Sequence, residues 1–274
     1  MAHHASWPWQ LIAALALNCA VQALAIAAYA ARLAGARSGR VATAISLFNI
    51  FATSSRFAQM LYTPMLGALS DRATGAALAI YQWQLRSIIV AGTLGAIIGT
   101  LAIPTFVMFY LRAIRSLERN GSIPKAALAM FRPATVAAVI GEVKFGVATR
   151  WRDLSFKYVP KDILVLNVLV TAIYGVGIVA AAYASVLQPQ AARTAVLSSG
   201  LVNGFATIAY NIIVDPASAL LTDRAVRGER SIDDVKGLVT GLSITSVIGL
   251  ICSQLLLLPA ASVIEYGARI ISGR

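Results

Sequence analysis

The chain has 274 residues, of which 58% are hydrophobic and only 12% charged, with a mean hydropathy of +0.75. Soluble domains carry about a quarter charged residues, so this composition excludes that class and points to an all-α integral membrane protein. The net charge of +12 would suit nucleic acid in a soluble protein. Here it fits Lys and Arg gathered in cytoplasmic loops against anionic membrane lipids, and no nucleic-acid partner is expected.

In chain order, His3 and His4 read as a terminal tail rather than a ligand pair, and Trp7-Pro8-Trp9 reads as an interfacial aromatic anchor. Six apolar segments follow, at 10–31, 41–69, 87–111, 163–187, 196–222 and 237–264. Each is longer than the ~20 residues that cross the hydrocarbon layer. The first has no Lys or Arg ahead of it and exceeds a signal-peptide core, so it is expected to stay as a span. Gly92, Gly95 and Gly99 in the third segment predict a close helix contact. Cys19 and Cys252 lie in apolar runs without metal-ligand spacing. Neither a disulfide nor a metal site is indicated, and no cofactor is expected.

Between the third and fourth segments the pattern breaks. Residues 112–162 hold ten Lys and Arg around one moderately apolar stretch, Ala126–Val147, interrupted by Arg132-Pro133, Glu142 and Lys144. That stretch is expected to lie on the cytoplasmic surface as an amphipathic segment. Residues 1–111 would then be a first transmembrane repeat, 112–162 a basic connector, and 163–274 a second repeat.

A duplicated phrase supports two repeats. Pro64 is followed by Asp71-Arg72-Ala73, and Pro216 by Asp223-Arg224-Ala225 at the same spacing. Asp71, Arg72, Asp223 and Arg224 thus mark repeat ends. The loops after the first, third and fifth segments hold seventeen Lys and Arg, and the opposite side holds five, Arg72, Arg86, Arg193, Arg269 and Arg274. The positive-inside rule makes the richer side cytoplasmic and puts both termini outside. Two three-helix repeats then run in inverted sense, the arrangement that suits alternating access.

Polar residues recur at helical spacing inside two segments. Asn49, Thr53, Arg56, Gln59 and Thr63 fall on one face of the second, and Asn203, Thr207, Asn211, Asp215, Ser218 and Thr222 on one face of the fifth. Asn18 and Gln22, and Asn167, Thr171 and Tyr174, add to the first and fourth. Such faces avoid lipid and are expected to line a shared interior; interhelical hydrogen bonding alone is the competing account. Arg56 and Asp215 are the sharpest signals, because a charge at the bilayer centre costs about 2.5–3.5 kcal/mol on insertion scales. Arg56 is read as an anion contact with Asn49, Gln59, Asn203 and Asn211 around it, and Asp215 as a charge-coupling acid. A structural salt bridge between the two is the alternative. Arg32, Arg37 and Arg40 are expected at the cytoplasmic mouth, as ordinary positive-inside charges or as collectors of a phosphate headgroup. No protease, hydrolase, P-loop or dinucleotide signature accompanies them, so no catalytic residue is assigned.

Several local phrases resemble a known family. Arg32-Leu33-Ala34-Gly35-x-Arg37-x-Gly39-Arg40, Ser46-Leu47-Phe48-Asn49 and Ser55-Arg56 are similar to the start of the Amj family of bacterial lipid II flippases, the alternate to MurJ. Thr171-Ala172-Ile173-Tyr174-x-Val176-Gly177, Tyr183-Ala184, Asn203-Gly204-x-Ala206-Thr207 and Asp215-Pro216 carry the likeness through the second half. The resemblance implies a multi-pass protein of the bacterial cytoplasmic membrane. It would move lipid II, the undecaprenyl-diphosphate-linked peptidoglycan precursor, to the outer leaflet. It brings no established mechanistic residues with it. A flippase for another polyprenyl-phosphate lipid, a membrane enzyme, or a scaffold of cell-wall lipid metabolism remain alternatives, with self-association or cell-wall synthase partners open.

Overall fold

The structure, a computed structural model, describes residues 7–73, 75, 77–120 and 157–273, and the regular elements among these are all helical. The stretch Ala126–Val147 and the histidine pair lie outside the described residues. Helix α1, Trp9–Ser38, stops where Gly39 takes a φ of 70°, the left-handed turn that closes helices, with Arg40 N–H bonded to Gly35 O at 3.2 Å. Helix α2, Val41–Ser70, follows at once, so the pair forms a tight antiparallel hairpin. Then come α3, Ala77–Leu101, and α4, Ile103–Asn120.

The second half holds α5, Lys161–Leu187, a 3-10 turn at Pro189–Ala191, α6, Ala192–Leu197, and α7, Ser199–Ala209. A π turn at Tyr210–Val214 leads into α8, Asp215–Val226, and the chain closes with α9, Ile232–Ser272. A capping box between Ser231 and Asp234 starts α9 by satisfying two backbone donors that no helical turn can.

Among the described residues, five stretches are long and apolar enough to cross a membrane, namely Trp9–Ser38, Ala77–Leu101, Lys161–Leu187, Pro189–Val226 and Ile232–Ser272. The chain is a multi-pass α-helical membrane protein. Helix α2 falls short of that apolarity because the stripe from Asn49 to Thr63 dilutes it. It nevertheless runs the length of α1, since Leu47 joins one core cluster and Tyr62, Leu66 and Leu69 join the other.

The expected third span, 87–111, needs correction. Its helix begins at Ala77 and ends at Leu101. Pro104 has no N–H to offer the Thr100 carbonyl, so the ladder breaks there. Beyond the break, α4 buries Ile103, Val107, Tyr110, Ala113 and Ile114 on one face and exposes Arg115 and Arg119 on the other. That is the pattern of a surface helix.

Among the described residues the core falls into two clusters at opposite ends of the bundle. One joins Ile26–Ala36 of α1, Leu47 of α2, α4, Leu221 and Ala225 of α8, and the start of α9. The other joins Leu11, Leu66, Leu69, Ala73, Tyr81, the end of α5, and Leu257–Ala268 of α9. The two Asp-Arg-Ala phrases therefore end at opposite ends of the molecule. Each is a helix stop: Gly75 and Gly228 follow with φ of 55° and 76°.

Two seams hold the bundle. Helix α3 lies on α1 because Gly92, Gly95 and Gly99 offer no side chain where Asn18, the Cys19 backbone and Ala23 press in. Helix α9 lies on α5 through Gly175 and Gly249 in the same way. Close backbone approach substitutes for a hydrophobic driving force that lipid does not supply.

Candidate functional site

A cleft of about 400 Å³ sits midway along the bundle. Helix α2 contributes Asn49, Thr53 and Arg56 to its wall, α5 contributes Thr171 and Tyr174, and the α7–α8 stretch contributes Thr207, Asn211 and Asp215. Gln22 and Tyr29 of α1 and Ser246 of α9 complete its back. Part of each polar stripe thus faces one space: Asn49, Thr53 and Arg56 of the second segment and Thr207, Asn211 and Asp215 of the fifth. Helices α2 and α7 pack on α1 and α5 respectively and hardly touch each other, so the cleft opens sideways between them. Around that opening the outer surface is apolar, with Phe57, Met60, Phe205 and Ile212 well exposed.

Arg56 is exposed in this cleft and has no ion pair or hydrogen bond among the described residues. Asn49 and Asn211 are exposed there as well. Gln59 is not part of the lining; it is buried and accepts a hydrogen bond from the Tyr174 hydroxyl at 2.6 Å, tying α2 to α5. Asn203 is also turned away, packing against Gly177 of α5 with its Oδ1 buried and unpartnered.

The arginine cluster expected at the mouth is split. Helix α1 runs on to Ser38, so Arg32 is inside a helix rather than in a turn, and it is buried. Its guanidinium pairs with Asp215 and sits over the Phe48 ring, 5.0 Å from the centroid. The expected alternative of an Arg56–Asp215 bridge is replaced by this Arg32–Asp215 pair. Arg37 is exposed at the helix end, and Arg40 reaches Glu118 of α4 at 2.6 Å. At that exposure the pair contributes little.

Asp215 owes its place to Pro216. A proline cannot donate to the carbonyl one turn back, and the chain relaxes into wider spacing, with Asp215 N–H bonded to Tyr210 O five residues earlier. Tyr210, whose buried hydroxyl stands beside Tyr29 and Arg32, lines the cleft from this turn. Tyr29, Tyr210, Ser246 and Phe48 had no signal in the sequence, because aromatic and Ser positions in apolar helices read as core.

Other polar residues are fully used in holding helices together. Asn18 donates to Ile88 O at 2.8 Å. Asn167, wholly buried, donates to Leu242 O, Thr245 Oγ1 and Ser246 Oγ at 2.9–3.0 Å. Arg86 and Gln254 exchange side-chain-to-carbonyl bonds at 3.0 and 2.9 Å, joining α3 to α9. At the repeat ends, Asp223 pairs with Arg227 one turn on at 2.7 Å, and Asp71, Arg72 and Arg224 stand at the surface.

Fold and site together define a multi-pass helical membrane protein with a polar cleft open sideways to lipid. A family model described as "Amj: Alternate to MurJ" matches residues 17–268, and the chain belongs to that family. A Bacillus subtilis (strain 168) protein named "Lipid II flippase Amj" is 35% identical over 240 residues, covering 87% of this chain and 89% of the relative. No solved structure matches the chain.

Proposed function

We propose that this protein is a lipid II flippase, carrying the lipid-linked peptidoglycan precursor from the inner to the outer leaflet of the bacterial cytoplasmic membrane. Family membership and the relative's name support the substrate. The observation on this chain that carries the reading is Arg56, a cation with no partner among the described residues, in a polar cleft with an open side. A lipid-linked diphosphate needs that layout: the headgroup enters between α2 and α7 while the polyprenyl tail stays in the bilayer. A guanidinium suits a diphosphate because its planar fork meets two oxygens at once.

The end that holds Arg37, Arg40, Arg115, Arg119, Arg227 and Arg230 is the cytoplasmic end in this reading, with both termini outside. The two three-helix halves, α1–α3 and α5–α9 with α6–α8 counted as one broken span, act as inverted repeats around the cleft, with α4 and the residues up to 160 as a cytoplasmic connector. At about 400 Å³ the cleft is at the small end for a drug-sized ligand, and a disaccharide-pentapeptide needs it to widen. The catalytic role is nil in this account; the residues bind and release, and no bond is broken.

The test is cellular. A bacterium depleted of its other lipid II flippases and expressing this protein is expected to show externally accessible lipid II and to keep its shape. Accumulation of lipid II in the inner leaflet despite stable expression would overturn the reading.

A further inference from the structure

Below the cleft, towards the basic end, the open volume falls from about 400 Å³ to about 30 Å³. The smaller space has room for about two waters and is lined by Val41, Ala44, Ala219 and Thr222 among others. Phe48 and Asp215 line both spaces, and Arg32 lines the smaller one. The divide is therefore Phe48, Arg32 and Asp215, drawn from α2, α1 and α8. It closes the cleft by joining the first half of the chain to the second.

The two partners in this bridge are unequal. The Arg32 side chain is 6% exposed, while that of Asp215 is 40% exposed. Arg32 Nε is buried and has no acceptor among the described residues, so the guanidinium, which also has the Tyr210 hydroxyl beside it, has donor capacity that one carboxylate does not use. Asp215 follows the π turn and precedes Pro216, where the backbone ladder is weakest. The fixed member is the arginine, and the movable member is the acid on α8.

We propose that Arg32 is a second phosphate site, occupied by the Asp215 carboxylate in the empty protein and taken over by the lipid diphosphate during transport. Displacing Asp215 frees α8 from α1 and opens the divide towards the basic end. Release of the headgroup returns Asp215 to Arg32 and shuts it again. The carboxylate here stands in for a phosphate oxygen, and a diphosphate with more charge and more acceptor oxygens outcompetes it. The proposal rests on the transport reading above and adds to it the order in which contacts change.

The experiment measures binding of undecaprenyl diphosphate to the full-length protein in nanodiscs, alongside flipping of lipid II in proteoliposomes. Asp215→Asn removes the internal competitor, so it is expected to bind several-fold more tightly than the unaltered protein and to flip several-fold more slowly. Arg32→Gln combined with Asp215→Asn should lose that gain and bind more weakly than the unaltered protein. Equal or weaker binding by D215N, or a gain that survives in the double variant, would overturn the proposal. If D215N does not accumulate folded, spin labels at Val41 and Ala219 give a readout with both charges intact. Their separation should lengthen when undecaprenyl diphosphate is added, and an unchanged distance overturns the proposal. Failure of the unaltered protein to bind any polyprenyl diphosphate would instead bring down the transport reading itself.

Discussion

The molecule has two sets of intramembrane polar residues that look alike in sequence and differ in structure. In the α1–α3 and α5–α9 seams and between α3 and α9, Asn18, Asn167 and the Arg86–Gln254 pair spend their donors on carbonyls and hydroxyls of a neighbouring helix. In the cleft, Arg56, Asn49 and Asn211 face open space. A polar side chain in lipid must find a partner or water. Where the protein supplies the partner, the residue holds helices together; where it does not, the residue is available to a ligand. Residue type does not separate the two sets, and satisfaction of the donors does.

That contrast is broken most severely at Arg56. Arg56→Gln is expected to abolish flipping in proteoliposomes while the protein still accumulates at near-normal levels, because no described residue pairs with its charge. Arg56→Lys should restore only part of the flux, a point charge being a poorer match to two oxygens. Loss of stable protein in R56Q would move Arg56 into the structural set.

Next in size is the α1–α3 seam. Gly95 lies directly against the Cys19 backbone, where any β-carbon collides with main-chain atoms that cannot rotate away. Gly95→Val should push the helices apart and cost most of the folded protein, measured as monodisperse material after detergent extraction. Gly67 and Gly267 face open space, and Ala at either should be tolerated.

Asn167→Ala should have a smaller, purely structural effect. It removes the side-chain bonds that tie α5 to α9, while Leu242 O and Ser246 Oγ keep Thr245 and Tyr29 as partners, so the cost is about 1–3 kcal/mol. A lower melting temperature with unchanged flux per folded molecule is the expected outcome. A flux loss without a stability loss would place Asn167 with the cleft residues.

The smallest effect is expected from thiols at the two helix stops. Asp71→Cys and Arg224→Cys, each in a background lacking Cys19 and Cys252, should leave transport intact and label from opposite faces, Cys at 71 from outside. Labelling from one face would contradict the inverted halves and the orientation drawn from the arginine count.

The sequence made the cleft's walls legible, because the period of 3.6 puts residues three or four apart on one face and Asn49, Thr53 and Arg56 obey it. Likewise Thr207, Asn211 and Asp215 fall on one side, even across the π turn. It made the glycine seam legible for the same reason. The position of Arg32 was out of reach, since α1 continues past the apolar run and only tertiary packing buries that last turn. Pairing with Asp215 was equally invisible, the partners being far apart in the chain and Arg56 offering an equal charge. The roles of Gln59 and Asn203 depended on the rotation of α2 and α7 about their own axes by less than one residue's arc. The break at Ala102 was signalled by Pro104, but hydropathy continued through it and the apolar face of α4 passed for span.

The most direct test of the account is to fill the cleft reversibly. In proteoliposomes containing a cysteine-free background with Thr53→Cys, a bulky methanethiosulfonate reagent is applied while lipid II flipping is followed. The account predicts near-normal flux before modification, loss of flux after it, and recovery when a reductant removes the adduct. Flux that continues through a fully modified Cys at position 53 would contradict the claim that the headgroup travels through this cleft.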